Sequence, residues 1–176
     1  MGKAGRILIW IVFIFGGIAL SAYLDNEVFG WGAINDSLLY FTSTILGVLL
    51  FVAAFLSVGN VGRTLAAHGR KGENLPRLET DTLVTGGVYS LMRHPMHQLL
   101  MLFPPAFALM MASPSFIFLV APLEVLIIYI LILKIEEPEA RRKFGAAYEE
   151  YEKQTPRFCF KWNCIRALMK NPDAKI

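Results

Sequence analysis

Two stretches of this sequence hold residue types able to do chemistry. The first reads Gly86-Gly87-Val88-Tyr89-Ser90-Leu91-Met92-Arg93-His94-Pro95-Met96-His97. Adjacent glycines permit close backbone approach to a ligand, and Pro95 suits the first turn of a helix whose unpaired amides can hold a carboxylate or phosphate. The same residues would also serve as an ordinary turn ahead of a proline-started helix. The second stretch reads Glu136-Glu137-Pro138-Glu139, followed by Arg141, Arg142, Lys143, Phe144, Gly145, Tyr148, Tyr151, Pro156 and Arg157. Adjacent carboxylates at the end of a helix oppose its dipole, so a bound cation or neighbouring arginines should accompany them; solvation at the headgroup level is the plainer alternative. His94 and His97, at i and i+3, would also suit a metal pair with Glu136 and Glu137 as further ligands.

The elements that must position these residues follow from composition. The chain is 55% apolar and 18% charged, against about 45–50% and about 25% in an ordinary soluble domain. A soluble globule of 176 residues could not hide that much apolar surface. Four segments approach the length a bilayer core demands: Ile7 to Leu24, Leu38 to Val61, Met96 to Ala112 and Ser115 to Leu133. Each must be helical, because lipid offers no partner to an unpaired backbone amide. The expected fold is therefore all-α, a polytopic membrane protein of about four transmembrane helices in a single membrane domain. The start resembles a signal peptide, with cations before an apolar stretch, but that stretch is long enough to be a retained helix. Pro104 and Pro105 remove two backbone donors and should kink or split the third helix. A tight hairpin through Ala112 to Pro114 should join it to the fourth.

Orientation follows from the cations. Lys3 and Arg6 precede the first helix; Arg63, Arg70, Lys71, Arg77 and Arg93 lie between the second and third; all the others of the 17 follow the fourth. The positive-inside rule then places both termini and the loop from Gly62 to Pro95 in the cytosol. The basic residues form no continuous stripe, which argues against nucleic acid as a partner. The loop from Gly62 to Thr85, punctuated by Gly69, Gly72 and Pro76, reads as partly irregular. Beyond the fourth helix, Glu139 to Lys153 reads as one interfacial cytosolic helix, with Phe144, Ala147, Tyr148 and Tyr151 on its apolar side. Cys159 and Cys164 match neither zinc spacing nor a disulfide framework and are expected to be reduced thiols. Glu124, near the middle of the fourth helix, is expected to bond Thr42, Ser43 or Thr44 across the bundle.

Taken together, Gly87, Tyr89, Arg93, His94 and Pro95, a helical hairpin, Glu136 and Glu137, Phe144-Gly145, Tyr148, Tyr151, Pro156 and Arg157 resemble the isoprenylcysteine carboxyl methyltransferases and the related phospholipid methyltransferases. The likeness spans roughly Gly86 to Arg157. It implies a membrane methyltransferase that uses S-adenosylmethionine and acts on a lipid, prenylated or other amphiphilic acceptor at the cytosolic face. By position, Gly87, Val88, Tyr89, His94, Met96, His97, Glu136 and Glu137 would line the cofactor pocket. Arg93, Tyr148, Tyr151 and Arg157 would lie nearer the acceptor. The family residue two beyond the proline is commonly Tyr, and here it is His97. The resemblance accounts for His94 without a metal, so none is expected.

The implied chemistry is coherent with that placement. A sulfonium disperses its charge as the methyl leaves, so the pocket should neutralise it without holding the cation too tightly. Alignment and water exclusion would then supply most of the benefit, with the cofactor arriving from water and the acceptor sideways from lipid. Two other readings share this helical core: a membrane reductase resembling the sterol reductases, dependent on a reduced nicotinamide, and a non-catalytic membrane binding protein.

Overall fold

A computed structural model describes residues 3–30, 37–72 and 80–170, with side chains from residue 11 onward. Pro76 and Arg77 of the polar loop lie outside those residues. The described residues are helical, with no strand among them, in the order α1 (Lys3–Tyr23), α2 (Ser37–His68), α3 (Pro95–Leu100), α4 (Phe103–Met111), α5 (Ala121–Leu131), α6 (Glu137–Phe144), α7 (Ala146–Gln154) and α8 (Trp162–Met169). Three helical stretches are long and apolar enough to cross a membrane: Ile11–Val28, Ser37–His68 and Phe116–Phe144. The expected third crossing is shorter, at Pro95–Met111, and is split into α3 and α4. Its break falls just before Pro104 and Pro105, which sit in the first turn of α4 where their missing amides would be unpaired anyway.

Contacts divide the chain into two compact units: Met1–Val52 with Met101–Ile130, and Ala53–Leu100 with Leu131–Ile176. In the first unit, α4 reverses direction at Ala112, whose φ of 47° is left-handed, and the chain climbs back through Phe116. Asp25, buried in a wide π-helical turn after α1, closes this hairpin: it accepts the Ser113 hydroxyl and the Ser115 backbone N–H. Ala108, Phe116, Val120 and Ala121 form the buried core here, with Ile18, Leu24, Phe107 and Met111 packed around it. The first half of α2 meets α4 through small residues. The Ser43 hydroxyl donates to the Leu109 carbonyl at 2.9 Å and that of Thr44 to the Met110 carbonyl at 3.2 Å.

Gly47 completes this close approach. A Cβ at position 47 would stand 2.5 Å from Met110 N and 2.7 Å from the Ala106 carbonyl oxygen, both backbone atoms that cannot swing aside. Gly47→Ala should therefore force the helices apart and destabilise the unit by about 1–3 kcal/mol, read as a lower unfolding temperature in detergent. An unchanged midpoint would mean that the two helices do not touch at this point.

Glu124 does not bond the hydroxyls expected of it, because Ser43 and Thr44 are committed to α4 carbonyls and Thr42 to Leu38 of its own helix. It is buried instead against Gly17 of α1, where a side chain at position 17 would overlap its carboxylate.

The second unit holds the later half of α2, α3 and everything beyond α5. The expected single helix from Glu139 to Lys153 is present in two pieces. Gly145 adopts φ 55° and ψ −135°, a conformation open to glycine alone, and so ends α6 and starts α7. The polar loop is more ordered than its composition suggests at one point: Asp81 accepts the backbone amides of Lys71 at 2.8 Å and Gly72 at 2.7 Å. Cys159 and Cys164, expected to be reduced, are joined in a disulfide. The Lys161 carbonyl accepts the amides of Cys164 and Ile165, which starts α8 and folds Cys164 back to a Cα distance of 5.9 Å from Cys159. That local turn is invisible in the spacing of two cysteines.

Candidate active site

The site is assembled in the second unit from the two chemically conspicuous stretches and the tail that follows them. Gly87 takes φ 60° and opens a short 3-10 turn, Gly87–Ser90, that buries Val88 and Tyr89. Pro95 then begins α3. The tail runs alongside: the Arg93 amide donates to the Pro156 carbonyl at 2.9 Å and the His94 amide to that of Arg157 at 3.1 Å. Gln98, 7% exposed, clamps the same tail twice, donating to the Cys159 carbonyl and accepting the Cys159 amide. The Tyr151 hydroxyl donates to the Tyr89 carbonyl, which ties α7 to the 3-10 turn.

Glu137 is the centre of this assembly. Its side chain is 2% exposed and receives the Arg157 guanidinium in a fork, Nε to Oε1 at 2.9 Å and Nη2 to Oε2 at 3.0 Å. Arg93 Nη2 reaches Oε1 at 2.8 Å, and Arg141 Nη2 stands 3.7 Å from Oε2. Glu152 forms a second bridge. It takes a fork from Arg141 at 2.8 and 3.1 Å and lies 3.6 Å from Arg93 Nη1. Arg93, itself 6% exposed, thus spans two carboxylates. Three guanidiniums thus meet two carboxylates, with Arg93 and Glu137 buried at the centre and Arg141 and Arg157 opening to solvent.

The residues named from the sequence separate in an informative way. Tyr89, His94, Glu136, Arg93, Tyr148 and Tyr151 line one cavity, together with Leu65, Thr80, Thr82, Leu83, Val84, Ala140 and Phe144. Glu137 lies among the arginines and is not part of the lining. Neighbours on a helix point about 100° apart, so Glu136 faces the cavity and Glu137 the ion-pair network. Gly87, Val88, Met96, His97 and Arg157 also stand outside the lining. His97 instead packs its ring edge-on against His94, 5.6 Å between centres. Gln98 and Glu152 were not singled out in the sequence, where a Gln in an apolar helix and one Glu of several in a charged helix carry no distinguishing signal. No cluster of three or more metal-ligating side chains occurs among the described residues.

Three buried polar atoms of residues lining this cavity have no hydrogen-bond partner among the described residues: Arg93 Nε, the Tyr148 hydroxyl and His94 Nε2, the last 3.4 Å from Glu137 Oε1. Leaving a buried donor unsatisfied costs about 1–3 kcal/mol, so such atoms point to a group that fills the space. Burial, and then the proximity of His97, lowers the His94 pKa to about 4, so its ring is neutral at pH 7. Burial likewise pushes the Tyr89, Tyr148 and Tyr151 hydroxyls up, which keeps them protonated as donors.

The His94 shift fixes a pH dependence. The unfolded chain takes up this proton near pH 6.5 and the folded chain near 4, so below 6.5 the unfolded state binds more protons and stability falls. From pH 7 down to pH 4 the wild type should lose about 3 kcal/mol that a His94→Gln variant does not lose. Parallel melting profiles of the two proteins would contradict a buried neutral His94.

No curated protein and no solved structure matches this chain. A family profile does, and it covers both the hairpin and the Glu136–Glu137 pair: the phospholipid methyltransferase (PEMT) profile matches residues 42–147. That is more than half of the sequence, and this integral membrane protein therefore belongs to the phospholipid methyltransferase family.

Proposed function

We propose that the chain transfers a methyl group from S-adenosylmethionine to a lipid, prenylated or other amphiphilic acceptor that enters from the bilayer, with the reaction at the cytosolic face. The observation that carries this reading is the pair of unsatisfied donors, Arg93 Nε–H and Tyr148 O–H, at a cavity that also presents the Glu136 carboxylate and an apolar wall. That donor set fits a zwitterionic amino acid carrying a sulfonium: donors for its carboxylate, a carboxylate for its cationic part, apolar side chains for the rest. When bound, S-adenosylmethionine supplies an electrophilic methyl group on that sulfonium.

The protein's own residues then divide the remaining work. Tyr89, His94 and Glu136 hold the cofactor side, and a neutral His94 adds no charge that would repel a cation. Arg93 Nε–H and the Tyr148 hydroxyl take the cofactor's carboxylate, while Tyr151, tied to the Tyr89 carbonyl, holds α7 against that wall of the cavity. Glu137 and Arg157 act through Arg93 by fixing it. His97 packs edge-on against the His94 ring, and Gly87 allows the chain to turn tightly. Leu65, Leu83, Val84 and Phe144 exclude water, which strengthens each of these interactions.

Calorimetry of the detergent-solubilised protein tests this. S-adenosylhomocysteine should bind, a reduced nicotinamide dinucleotide should not, and Tyr148→Phe should weaken binding about tenfold by removing one buried donor. Binding of the nicotinamide alone would favour a reductase, and binding of neither a non-catalytic role. The proposed orientation has its own test: labels at either terminus should react only from the cytosol. A disulfide is reduced in that compartment and persists outside it, so free thiols at Cys159 and Cys164 in intact cells would accompany cytosolic termini, and a retained bridge would contradict them.

A further inference from the structure

The short helix α8 has a face that the site does not use. Cys164 and Leu168, at i and i+4, are buried, and α8 packs on the 3-10 turn Gly87–Ser90. On the opposite side Trp162, Arg166 and Met169 follow one another at i, i+4 and i+7; Trp162 is 62% exposed and Met169 51%. Phe160, just before the helix, is 76% exposed. Lys161, Arg166 and Lys170 are exposed beside these apolar groups, and the Arg166 guanidinium lies 5.9 Å from the Trp162 ring centre. No acidic residue occurs between Arg157 and Lys170.

The level of this face is set by α2. The Asn60 side-chain amide donates to the Met169 carbonyl at 3.3 Å, and Asn60 lies where the apolar run of α2 gives way to Arg63 and the polar residues after it. The end of α8 is therefore held where a membrane-crossing helix leaves hydrocarbon for headgroups. Tryptophan beside lysine and arginine is the composition that this layer selects, with rings at the acyl boundary and cations among phosphates. Gln98 bonds both the carbonyl and the amide of Cys159 and so fixes the approach to α8 beside Phe160.

We infer that α8 and Phe160 form a docking surface for anionic phospholipid headgroups, with Phe160, Trp162 and Met169 seated at the acyl boundary and Lys161, Arg166 and Lys170 on the phosphates. The inference does not depend on the methyltransferase reading. Each cation near an anionic surface multiplies the docked-to-free ratio by about fivefold, and the three together by about 100-fold.

The test uses the full chain with Trp10→Phe and Trp31→Phe, leaving Trp162 as the sole tryptophan, in nanodiscs of brominated phosphatidylcholine with or without phosphatidylglycerol. Trp162 emission should be blue-shifted and quenched by the brominated lipid in anionic discs, less so in zwitterionic discs or at high salt. Neutralising the three cations together, Lys161→Gln with Arg166→Gln and Lys170→Gln, should abolish the difference between the two lipids; these are exposed positions whose loss leaves the packing of α8 intact. Equal quenching in both lipids would overturn the proposal. So would ready quenching by aqueous iodide in both, which means a solvated helix, or shielding from iodide without quenching by lipid, which means that a protein surface covers it.

Discussion

Glu137→Gln is expected to destabilise the second unit by about 3–5 kcal/mol, seen as a large fall in the unfolding midpoint in detergent, and to abolish methyl transfer with it. The carboxylate is buried and holds Arg93, Arg157 and Arg141 at once. A glutamine of the same shape leaves the buried Arg93 guanidinium facing a neutral amide, the case in which removal of one partner of a buried pair costs most. Glu136→Gln makes the informative contrast. Glu136 lines the cavity, so its loss should weaken ligand binding with little change in stability. If Glu137→Gln melts with the wild type and only its ligand affinity drops, Glu137 contacts the ligand directly and the network described here is not what holds the site.

Arg93→Lys and Arg157→Lys are expected each to reduce methyl transfer by about 100-fold in the same lipid, although charge is preserved. Arg93 reaches Glu137 with one terminal nitrogen and Glu152 with the other, while its Nε remains for the cavity. Arg157 engages both oxygens of Glu137. A lysine offers one compact ammonium and can satisfy one of these partners at a time, so the cavity wall shifts; misplacement by about 1 Å suffices for a loss of this size. If both variants retain full transfer, the arginines serve only as charged anchors.

The apolar runs and the ends of the chemical motifs were legible in the sequence because each is a local signal. Prolines 104 and 105 mark the break between α3 and α4, and Gly86-Gly87 marks the turn that opens the site. Long-range pairing was not legible. The tail from Pro156 to Cys159 lies beside Arg93 to Gln98 through backbone and Gln98 hydrogen bonds that leave no periodicity to read. Glu152 meets Arg141 only because Gly145 turns the chain between them, and a glycine inside a helical pattern looks the same whether it bends the helix or passes through it. Helical spacing separates Glu136 from Glu137, but which of them meets the arginines depends on Arg93 and Arg157, which arrive from distant parts of the chain.

One measurement bears most directly on the central claim. The purified protein in nanodiscs, given S-adenosylmethionine with a labelled methyl group and a total lipid extract, is expected to move label into the organic phase, with Tyr148→Phe and Arg93→Lys much slower under the same conditions. Mass spectrometry of the labelled lipid then names the acceptor and the atom that receives the methyl group. Label that stays in the aqueous phase for a folded wild-type protein that binds S-adenosylhomocysteine would contradict an amphiphilic acceptor. Absence of both transfer and binding would contradict the methyltransferase itself.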